Sequence, residues 1–301
     1  MSAVTLIEVA PRDGFQPIGP FIPTAVKIGF VREAYAAGLR RIEVGAFVNP
    51  RLVPQMCDTR EVLHGIADLP DIDAQVLVPN RYGVEMALTA GACHLVYVIS
   101  ASDAHNRSNV RRDTAVSIAE YGEVVRTLPK DIAVRLNLAT AFDCPFAGRM
   151  ETAFVLDRLA RILACRADVE VGLCDTTGRA DPAQVADVSV ACLRRWGHGP
   201  TRFAFHGHDT YGLGLANISA AWSVGIDRFD TSFAGLGGCP FAPGATGNTA
   251  TEDAVWMFDR MGIKTGVDLA ALIRLANQAA SLPGALPGGR VRVALAASCR
   301  T

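Results

Sequence analysis

Short, almost uninterrupted hydrophobic segments alternate with amphipathic segments along most of the chain. The hydrophobic segments are rich in Val, Ile, Leu and Phe and lack the polar–apolar alternation of a sheet with one face in water. We therefore predict strands that are covered on both faces. The predicted strands are 5–10, 40–47, 74–79, 94–100, 132–139, 169–175, 202–208 and 228–235.

The segments between these strands have the spacing of amphipathic helices. In 24–39, apolar residues recur at helical spacing, which places them on one helix face. Segment 183–196 has the same spacing and follows an Asp-Pro pair, a typical helix start. One further helix is predicted over 266–280, followed by a linker rich in Pro and Gly over 282–290 and a short tail.

The number and spacing of these elements predict the fold. Eight strands that alternate with helices amount to roughly 33 residues per strand–helix unit, the size of one repeat in a TIM barrel. We predict an α/β fold, a TIM (β/α)8 barrel, in a single domain of residues 1–301. The barrel would occupy about 4–262, and a C-terminal helical extension and tail about 263–301. A doubly wound open sheet is the alternative, but no G-x-G-x-x-G motif follows the first strand.

Charge and hydropathy exclude several functional classes. The 29 Lys and Arg residues balance 30 Asp and Glu residues, and this net charge of -1 gives no electrostatic reason to bind nucleic acid or an anionic membrane. No apolar run approaches the roughly 20 residues of a membrane-spanning helix, and the N-terminus has no signal or transit pattern. We expect a cytoplasmic protein without nucleic-acid or membrane partners.

The eight cysteines form no C-x-x-C motif, which argues against a zinc ribbon or a thioredoxin-like redox pair. In a chain of this length without a secretion signal we expect reduced thiols, most of them buried as small hydrophobic residues. Cys239 is the exception, because it lies in a loop rich in Gly and Pro at 235–248.

Polar side chains gather at the ends of the predicted strands. In a TIM barrel the C-terminal strand ends form one face, and catalytic residues lie there. We therefore expect a site assembled from several strands. Its candidates are Arg12 and Asp13 after the first strand, Glu43 on the second, Arg135 and Asn137 on the fifth, Cys174, Asp175 and Thr176 on the sixth, and His206, His208 and Asp209 on the seventh.

His206 and His208 point to the same face of the seventh strand, since side chains two positions apart in a strand share a face. Two imidazoles with a carboxylate such as Asp13 and an amide oxygen would form a site for a divalent cation. A ligand set of nitrogen and oxygen with few thiolates suits Mg²⁺ or Mn²⁺ and, less specifically, Zn²⁺ or Co²⁺. The alternative is a pair of hydrogen-bonded core histidines.

Two other segments each have two interpretations. Arg12-Asp13 is a surface ion pair or, in a catalytic barrel, a metal-binding carboxylate beside a guanidinium that stabilises negative charge on a substrate oxygen. The loop 235–248 is a flexible surface segment or a lid over the barrel mouth. As a lid it would bring Cys239 to the substrate as a general acid and Asn248 to the metal as an oxygen ligand.

Five segments resemble the 3-hydroxy-3-methylglutaryl-CoA lyase family of the DRE-type metal-dependent TIM barrels. They are EVAPRDGFQ, IEVGAFVNPRLVPQM, GLCDTTG, FHGHDTYGLGLAN and AGLGGCPFAPGATGNTATEDAVWMF. The resemblance extends from about residue 4 to about residue 280. The last segment is the most discriminating, since condensing relatives share the H-x-H-type strand but not this loop with its cysteine.

The resemblance implies individual roles. The implied metal ligands are Asp13, His206, His208 and Asn248, and the implied substrate-binding residues are Arg12, Gln16, Asp175 and Thr176. Arg12 would stabilise a thioester enolate, Cys239 would protonate it, and Glu43 would hold Arg12 or a metal ligand in place. Asp13, His206 or a metal-polarised water would act as the base.

The implied activity is retro-Claisen cleavage of 3-hydroxy-3-methylglutaryl-CoA, or a similar CoA thioester, to acetyl-CoA and a keto acid, acetoacetate. The implied cofactor is Mg²⁺ or Mn²⁺, the implied assembly a homodimer or other homo-oligomer, and the implied processes leucine degradation and ketone body formation.

Three alternatives to this activity are open. They are a lyase for another 3-hydroxyglutaryl-type or citramalyl-type CoA ester, a Claisen-condensing enzyme or aldolase of the superfamily, and a barrel that binds acyl-CoA without catalysis. Residues 17–19, Ala46, Gly172 and Cys174 depart from the family pattern near the expected acyl pocket. The reaction class is therefore better determined than the substrate.

Overall fold

The computed structural model describes residues 3–238 and 246–298. Its main strands are β1 (Thr5–Glu8), β2 (Arg41–Ala46), β3 (Asp73–Val78), β4 (His94–Ser100), β5 (Ala133–Ala139), β6 (Glu170–Asp175), β7 (Arg202–Gly207) and β8 (Arg228–Thr231). These strands are parallel and form one closed barrel in which each pairs with its neighbours in the chain and β1 pairs with β8. The predicted TIM barrel and all of its predicted strands are confirmed.

Helices cover the outside of the barrel. They are α1 (Thr24–Ala36), α2 (Thr59–Gly65), α3 (Arg81–Thr89), α4 (Asp103–Val110), α5 (Thr114–Thr127), α6 (Thr152–Leu163), α7 (Pro182–Trp196), α8 (Gly214–Ser223), α9 (Thr251–Arg260), α10 (Leu269–Ala280) and α11 (Val291–Ser298). Shorter elements are a π-helical turn at Ala10–Gly14, 3-10 turns at Pro54–Met56 and Phe233–Gly235, and a hairpin of Asp143–Cys144 with Gly148–Arg149. No described helix is long and apolar enough to cross a bilayer.

The sequence sets several helix starts through side-chain caps. The carboxylate of Asp181 accepts from the backbone N–H of Gln184 at 2.9 Å, and Pro182 fits the first helical position because its missing N–H would have no helical partner. Asp268 caps α10 in the same way. This helix therefore begins at Leu269, slightly later than its hydrophobic pattern predicts.

Hydrophobic and charged residues occupy different layers of the molecule. The main hydrophobic core lies between the strands and the surrounding helices, whereas Ile7, Val9 and Ala204 form a small separate cluster. Arg135 and Asp230 also lie almost fully buried and are joined by an ion pair at 2.7 Å. The barrel therefore contains charges that its own side chains neutralise.

The C-terminal extension packs on the barrel. The backbone N–H of Asp268 donates to Ala37 O at 2.7 Å, and that of Gly288 donates to Ala234 O at 2.7 Å, close to the end of β8. The short tail predicted after residue 290 is instead helical, since α11 follows there. Its first turn is fixed by Asp253, which accepts from the backbone N–H of Arg290 and of Val291.

Candidate active site

The turn after β1 brings Arg12 and Asp13 to the barrel mouth. The carbonyl of Val9 accepts from the backbone N–H groups of Arg12, Asp13 and Gly14, which closes the π-helical turn directly at the strand end. Phe15 then enters the hydrophobic core and anchors the following segment. The tight turn therefore holds both side chains over the opening of the barrel.

Arg12 connects two carboxylates. Its Nη1 contacts Asp13 Oδ1, and its Nη2 donates to Glu43 Oε2 at 2.8 Å. Although burial opposes the charge, Glu43 and Asp13 raise the pKa of Arg12 above its ordinary value. Burial raises the pKa of Glu43, and the charge of Arg12 opposes that rise. Glu43 thus lies where the sequence suggested, bound to Arg12.

His206, His208 and Asp13 form a compact cluster. One ligand atom from each lies within 4.8 Å of the others, and the two imidazole centroids are 5.1 Å apart. Nδ1 of His206 lies 3.1 Å from Asp230 Oδ2, which leaves Nε2 as its ligand atom. Nδ1 of His208 is buried without a hydrogen-bond partner in the described part of the chain.

Asp13 and His208 are held in the protonation states that bind a cation, whereas Asp230 raises the pKa of His206 although burial opposes that rise. Burial opposes ionisation of Asp13, but the charge of Arg12, together with His206 and a hydrogen bond from Asn248, lowers the pKa of Asp13 well below its usual range. Burial, together with His206, lowers the pKa of His208 to about 4, so its imidazole is neutral at pH 7. An ionised carboxylate and a neutral imidazole are the protonation states that bind a metal ion.

Asn248 reaches this cluster through backbone pairing. Its neighbours bond to the end of β7, with Asp209 N–H donating to Gly247 O at 2.6 Å and Thr249 N–H to Gly207 O at 3.2 Å. Gly237, with φ of +140°, leaves space for the amide, because a Cβ there would lie 2.5 Å from Asn248 Nδ2.

The Asn248 amide presents its nitrogen to the neighbouring side chains. Nδ2 donates to Asp13 Oδ2 at 2.7 Å and to Leu236 O at 3.0 Å. These contacts use both amide hydrogens, so Oδ1 is the atom that could bind a cation. The residues present therefore fit a divalent metal: a carboxylate, two imidazoles of which one has an unpaired buried nitrogen, and an amide oxygen.

A cavity of about 670 Å³ opens beside the cluster. It is lined by Arg12 and the three cluster residues. Gln16 and Thr176, which the resemblance assigned to substrate binding, also line it. Much of its wall is apolar, and Arg111 and Arg112 add positive charge. Its apolar residues include Val48, Leu52, Val53, Leu77, Val98 and Val110. Such a cavity suits an acyl group and an anionic carrier.

Asp175 is not among the residues that line the cavity. Its carboxylate accepts from Ala180 N–H at 3.2 Å and so holds the turn after β6. Burial raises the pKa of Asp175 to about 7, against the effect of its backbone hydrogen bonds. Its neighbours Cys174 and Thr176 do line the cavity. The structure therefore places Asp175 in a supporting position.

Cys239, the suggested catalytic thiol, lies outside the described residues. The two described ends of its loop come together, since Gly238 and Thr246 form an antiparallel bridge, and Gly238 lines the cavity. The six cysteines in the described residues are less uniformly buried than the sequence predicts. Cys144, Cys174 and Cys192 are buried, Cys165 is half-buried, and Cys57 and Cys93 are exposed.

Sequence reasoning missed two buried carboxylates beside the site. Asp230 orients His206, and Glu8 accepts from the backbone N–H groups of Ala10 and Phe233 and from the Thr251 hydroxyl. Each is the only acid in its predicted strand. An isolated acid in such a strand must be paired when buried, and this is the signal that could have found them.

The fold and the site together define a class of protein. A closed parallel barrel whose mouth holds an acid, two imidazoles and a charged guanidinium beside a large cavity is a TIM-barrel enzyme. Residues 3–278 match the family model described as HMGL-like. The chain belongs to this family, and it is a carbon–carbon lyase.

Similar proteins cover almost the whole chain. It is 40% identical over 287 residues to (R)-citramalyl-CoA lyase of Chloroflexus aurantiacus, covering 91% of this chain and 89% of that protein. It is 38% identical over 298 residues to hydroxymethylglutaryl-CoA lyase of Pseudomonas mevalonii, covering 99% and 98% of the two chains. An HMG-CoA lyase from Acinetobacter baumannii, solved in complex with coenzyme A and 3-methylmalate, has TM-score 0.91, 38% identity and coverage of 97% and 95%.

Proposed function

We propose that this lyase cleaves a 3-hydroxyacyl-CoA thioester of the 3-hydroxy-3-methylglutaryl type to acetyl-CoA and a keto acid, acetoacetate for that ester. The observation that carries the proposal is the cluster of Arg12, Asp13, His206 and His208 at the opening of the cavity. It combines ligands for a divalent cation with a fixed positive charge, which are the two groups that an enolate-forming cleavage requires.

A divalent cation, Mg²⁺ or Mn²⁺, held by Asp13, His206, His208 and Asn248 would supply Lewis acidity and a template for the substrate oxygens. The low pKa of Asp13 makes this carboxylate a weak base, which favours its role as a ligand. Arg12 stays charged, and Glu43 keeps its guanidinium in place.

The reaction moves two protons around one carbon–carbon bond. A base removes the proton of the 3-hydroxyl, the bond between C2 and C3 breaks, and the electron pair passes to the thioester as an enolate. Arg12 stabilises that negative charge. Cys239 then donates its proton to the enolate carbon, which completes acetyl-CoA.

A citramalyl-type ester is the second candidate substrate. The relative from Chloroflexus aurantiacus is named as an (R)-citramalyl-CoA lyase, and 3-methylmalate occupies the structure from Acinetobacter baumannii together with coenzyme A. Both names indicate hydroxy acids that carry a free carboxylate. We therefore propose that this chain acts on carboxylate-bearing 3-hydroxyacyl-CoA esters. We also propose that it assembles into a homo-oligomer and is cytoplasmic.

The decisive experiment measures acetyl-CoA release by the purified protein. It uses 3-hydroxy-3-methylglutaryl-CoA and citramalyl-CoA in parallel, each with Mg²⁺ or Mn²⁺ and each with excess EDTA. We expect cleavage of the first ester that EDTA abolishes and added metal restores. Faster cleavage of citramalyl-CoA would select the second candidate, and no cleavage of either ester would overturn the proposal.

A further inference from the structure

Asn137 on β5 presents a hydrogen-bond donor to the cavity. Its Oδ1 accepts from Arg135 Nε at 2.8 Å, which fixes the orientation of the amide because this nitrogen can only donate. Nδ2 has no hydrogen-bond partner within the described part of the chain, and the residue lines the cavity. The group that faces the cavity is therefore an NH2 whose two hydrogens no described residue accepts.

The neighbouring strand is shaped around this amide. Gly172 on β6 is the register partner of Asn137. A Cβ at position 172 would lie 2.3 Å from Asn137 Oδ1 and 2.7 Å from Arg135 Nη2. Arg135 cannot move away easily, since its Nη2 is held by Asp230 at 2.7 Å. Any side chain at 172 would therefore displace the Asn137 amide.

Asn137 lies across the barrel from the turn after β1, because β5 is the strand opposite β1 in the closed barrel. Its register partner Gly172 pairs in turn with Ala204 on β7. Because the strands of a TIM barrel are tilted, side chains at one height shift by about one residue per strand relative to the register, which places Asn137 near the height of His206. Both residues line the cavity. The amide therefore faces the cavity on the same level as the histidines, where the acyl group would lie.

We propose that Asn137 is a specificity-determining residue whose amide NH2 binds the free carboxylate of the acyl group. This inference rests on the proposed function and identifies how the site selects acids from other 3-hydroxyacyl-CoA esters. The amide can only donate toward the cavity, so its partner must be an acceptor. An acyl group that ends in a hydrocarbon would leave the donor buried and unpaired, and such an ester is rejected.

The test compares two esters that differ in the carboxylate. One is whichever carboxylate-bearing ester the wild-type protein cleaves. The other is 3-hydroxy-3-methylbutyryl-CoA, which has a methyl group in place of the carboxymethyl group, measured as a competitive inhibitor. In Asn137→Ala we expect kcat/KM for the acid to fall roughly 10- to 100-fold, the size of a lost hydrogen bond to a charged group, with an unchanged inhibition constant for the methyl analogue.

Two further variants keep the proposal testable. Asn137→Asp retains the size and the acceptor for Arg135 but has no donor, so it should lose at least as much kcat/KM on the acid as Asn137→Ala. Gly172→Ala should weaken recognition of the acid by displacing the amide. Adding Asn137→Ala to Gly172→Ala should then cause little further loss, because the two changes remove the same contact.

Two results would overturn the inference. Equal weakening of both esters in Asn137→Ala would indicate a packing role, and unchanged kinetics would show that the amide does not touch the substrate. Binding of both esters to metal-loaded protein, measured by calorimetry, separates this question from the reaction itself. If the wild-type protein cleaves neither ester but binds the acid more tightly than Asn137→Ala does, only the proposed function is contradicted. If the wild-type protein binds both esters equally tightly, the inference is contradicted.

Discussion

The two ends of the barrel carry similar residues in different states. At the N-terminal end, the Glu170 carboxylate accepts hydrogen bonds from both Nη atoms of Arg41 at 2.9 and 3.0 Å. It also contacts Arg228 at 3.2 Å and Arg135 at 3.4 Å. Asp73 pairs with Arg41 on the same side. Apart from Arg135, these acids and bases begin their strands, and their charges are matched by direct contacts.

At the mouth, by contrast, buried polar atoms have no partner among the described residues. They include Arg12 Nε, Glu43 Oε1 and His208 Nδ1. Buried polar groups are normally paired, because an unpaired one costs free energy. At the N-terminal end the ion pairs stabilise the barrel, although Nε2 of His94 at the start of β4 also has no described partner. At the mouth the unpaired atoms surround the cluster of Asp13, His206 and His208, which retains the capacity to bind a ligand.

Arg135 connects the two ends through the barrel interior. It contacts Glu170 below and Asp230 above, and Asp230 orients His206. The same type of contact therefore has two functions. The ion pair of Arg135 with Glu170 balances the two charges, whereas the contact of Asp230 with His206 positions an imidazole. Substitutions at the two ends should separate these effects.

Loss of a ligand at the mouth should have the largest effect. In His208→Ala we expect divalent-metal affinity to fall by more than about 100-fold, since even removal of a group behind a ligand costs 10- to 100-fold. Acetyl-CoA release should fall with it. Calorimetric titration with Mn²⁺ measures the change, and a variant that keeps full metal stoichiometry and affinity would remove His208 from the ligand set.

Cys239→Ser should come next. We expect kcat to fall by about 10²- to 10⁴-fold, the usual contribution of a general acid, because the serine hydroxyl is a much weaker proton donor. Metal affinity should be unchanged, which distinguishes this variant from His208→Ala. Steady-state rates and the Mn²⁺ titration check both parts, and an unaltered kcat would exclude the thiol from the reaction.

At the N-terminal end of the barrel, Glu170→Gln should affect stability rather than catalysis. Removing this carboxylate leaves Arg41, Arg135 and Arg228 without their shared partner, and breaking a buried ion pair costs about 3 to 5 kcal/mol of unfolding free energy. Urea unfolding measures that loss. Metal affinity per folded molecule should stay within about 2-fold of wild type, which is well below the effect of replacing a residue that hydrogen-bonds to a metal ligand. A larger loss of affinity would mean that the two ends of the barrel do not act independently.

Glu8, at the mouth end of β1, should produce a pH dependence of stability. Burial raises its pKa from 4.5 to about 8, despite hydrogen bonds from Thr251, Ala10 and Phe233. A carboxyl group with a raised folded-state pKa stabilises the fold fully below pH 4.5 and loses that contribution as the pH rises through 8.

We therefore expect stability to decline between these pH values by up to about 1.4 kcal/mol per pH unit. Glu8→Gln should flatten the decline, because the amide keeps an acceptor but does not ionise. Thermal or urea unfolding at several pH values measures both slopes. Parallel slopes in the two proteins would assign the decline to other groups.

Asp230→Asn should weaken metal binding less than His208→Ala does, because it changes a residue behind a ligand rather than a ligand. The amide keeps the size of the side chain but weakens its hold on His206 Nδ1, and outer partners of metal ligands contribute about 10- to 100-fold to affinity. Glu170→Gln is the matched control, since it makes the same change of carboxylate to amide at the other end of Arg135. Equal Mn²⁺ affinities in the two variants would contradict the distinction between the ends.

Much of the fold follows from local sequence pattern. Continuous apolar segments separated by amphipathic ones predicted every barrel strand, because burial on both faces by crossover helices requires that pattern. The ends of some elements differ from the pattern. β8 ends at Thr231 rather than 235 because Phe233–Gly235 turns sharply, with Ala234 at φ of +58°.

The candidate site was predicted from strand ends, and the structure brings most of its parts together. Arg12, Asp13, Glu43, His206, His208 and Asn248 gather at the mouth as the topology of a barrel requires. Asp175 differs because its strand ends in a turn that uses the carboxylate for its own N–H groups. Strand pairing sets the height of a side chain in the barrel, and the following turn sets its direction.

The sequence alone determined the barrel, the strand that carries each polar residue, and the resemblance to a family of lyases. The tertiary structure decided which partner each charge has. Asp230 faces His206, Arg135 joins two carboxylates, and Asn137 turns its NH2 into the cavity because Gly172 leaves it space. Hydrophobic pattern is a property of neighbours in the chain, whereas the pairing of buried charges depends on residues that meet only when the barrel closes.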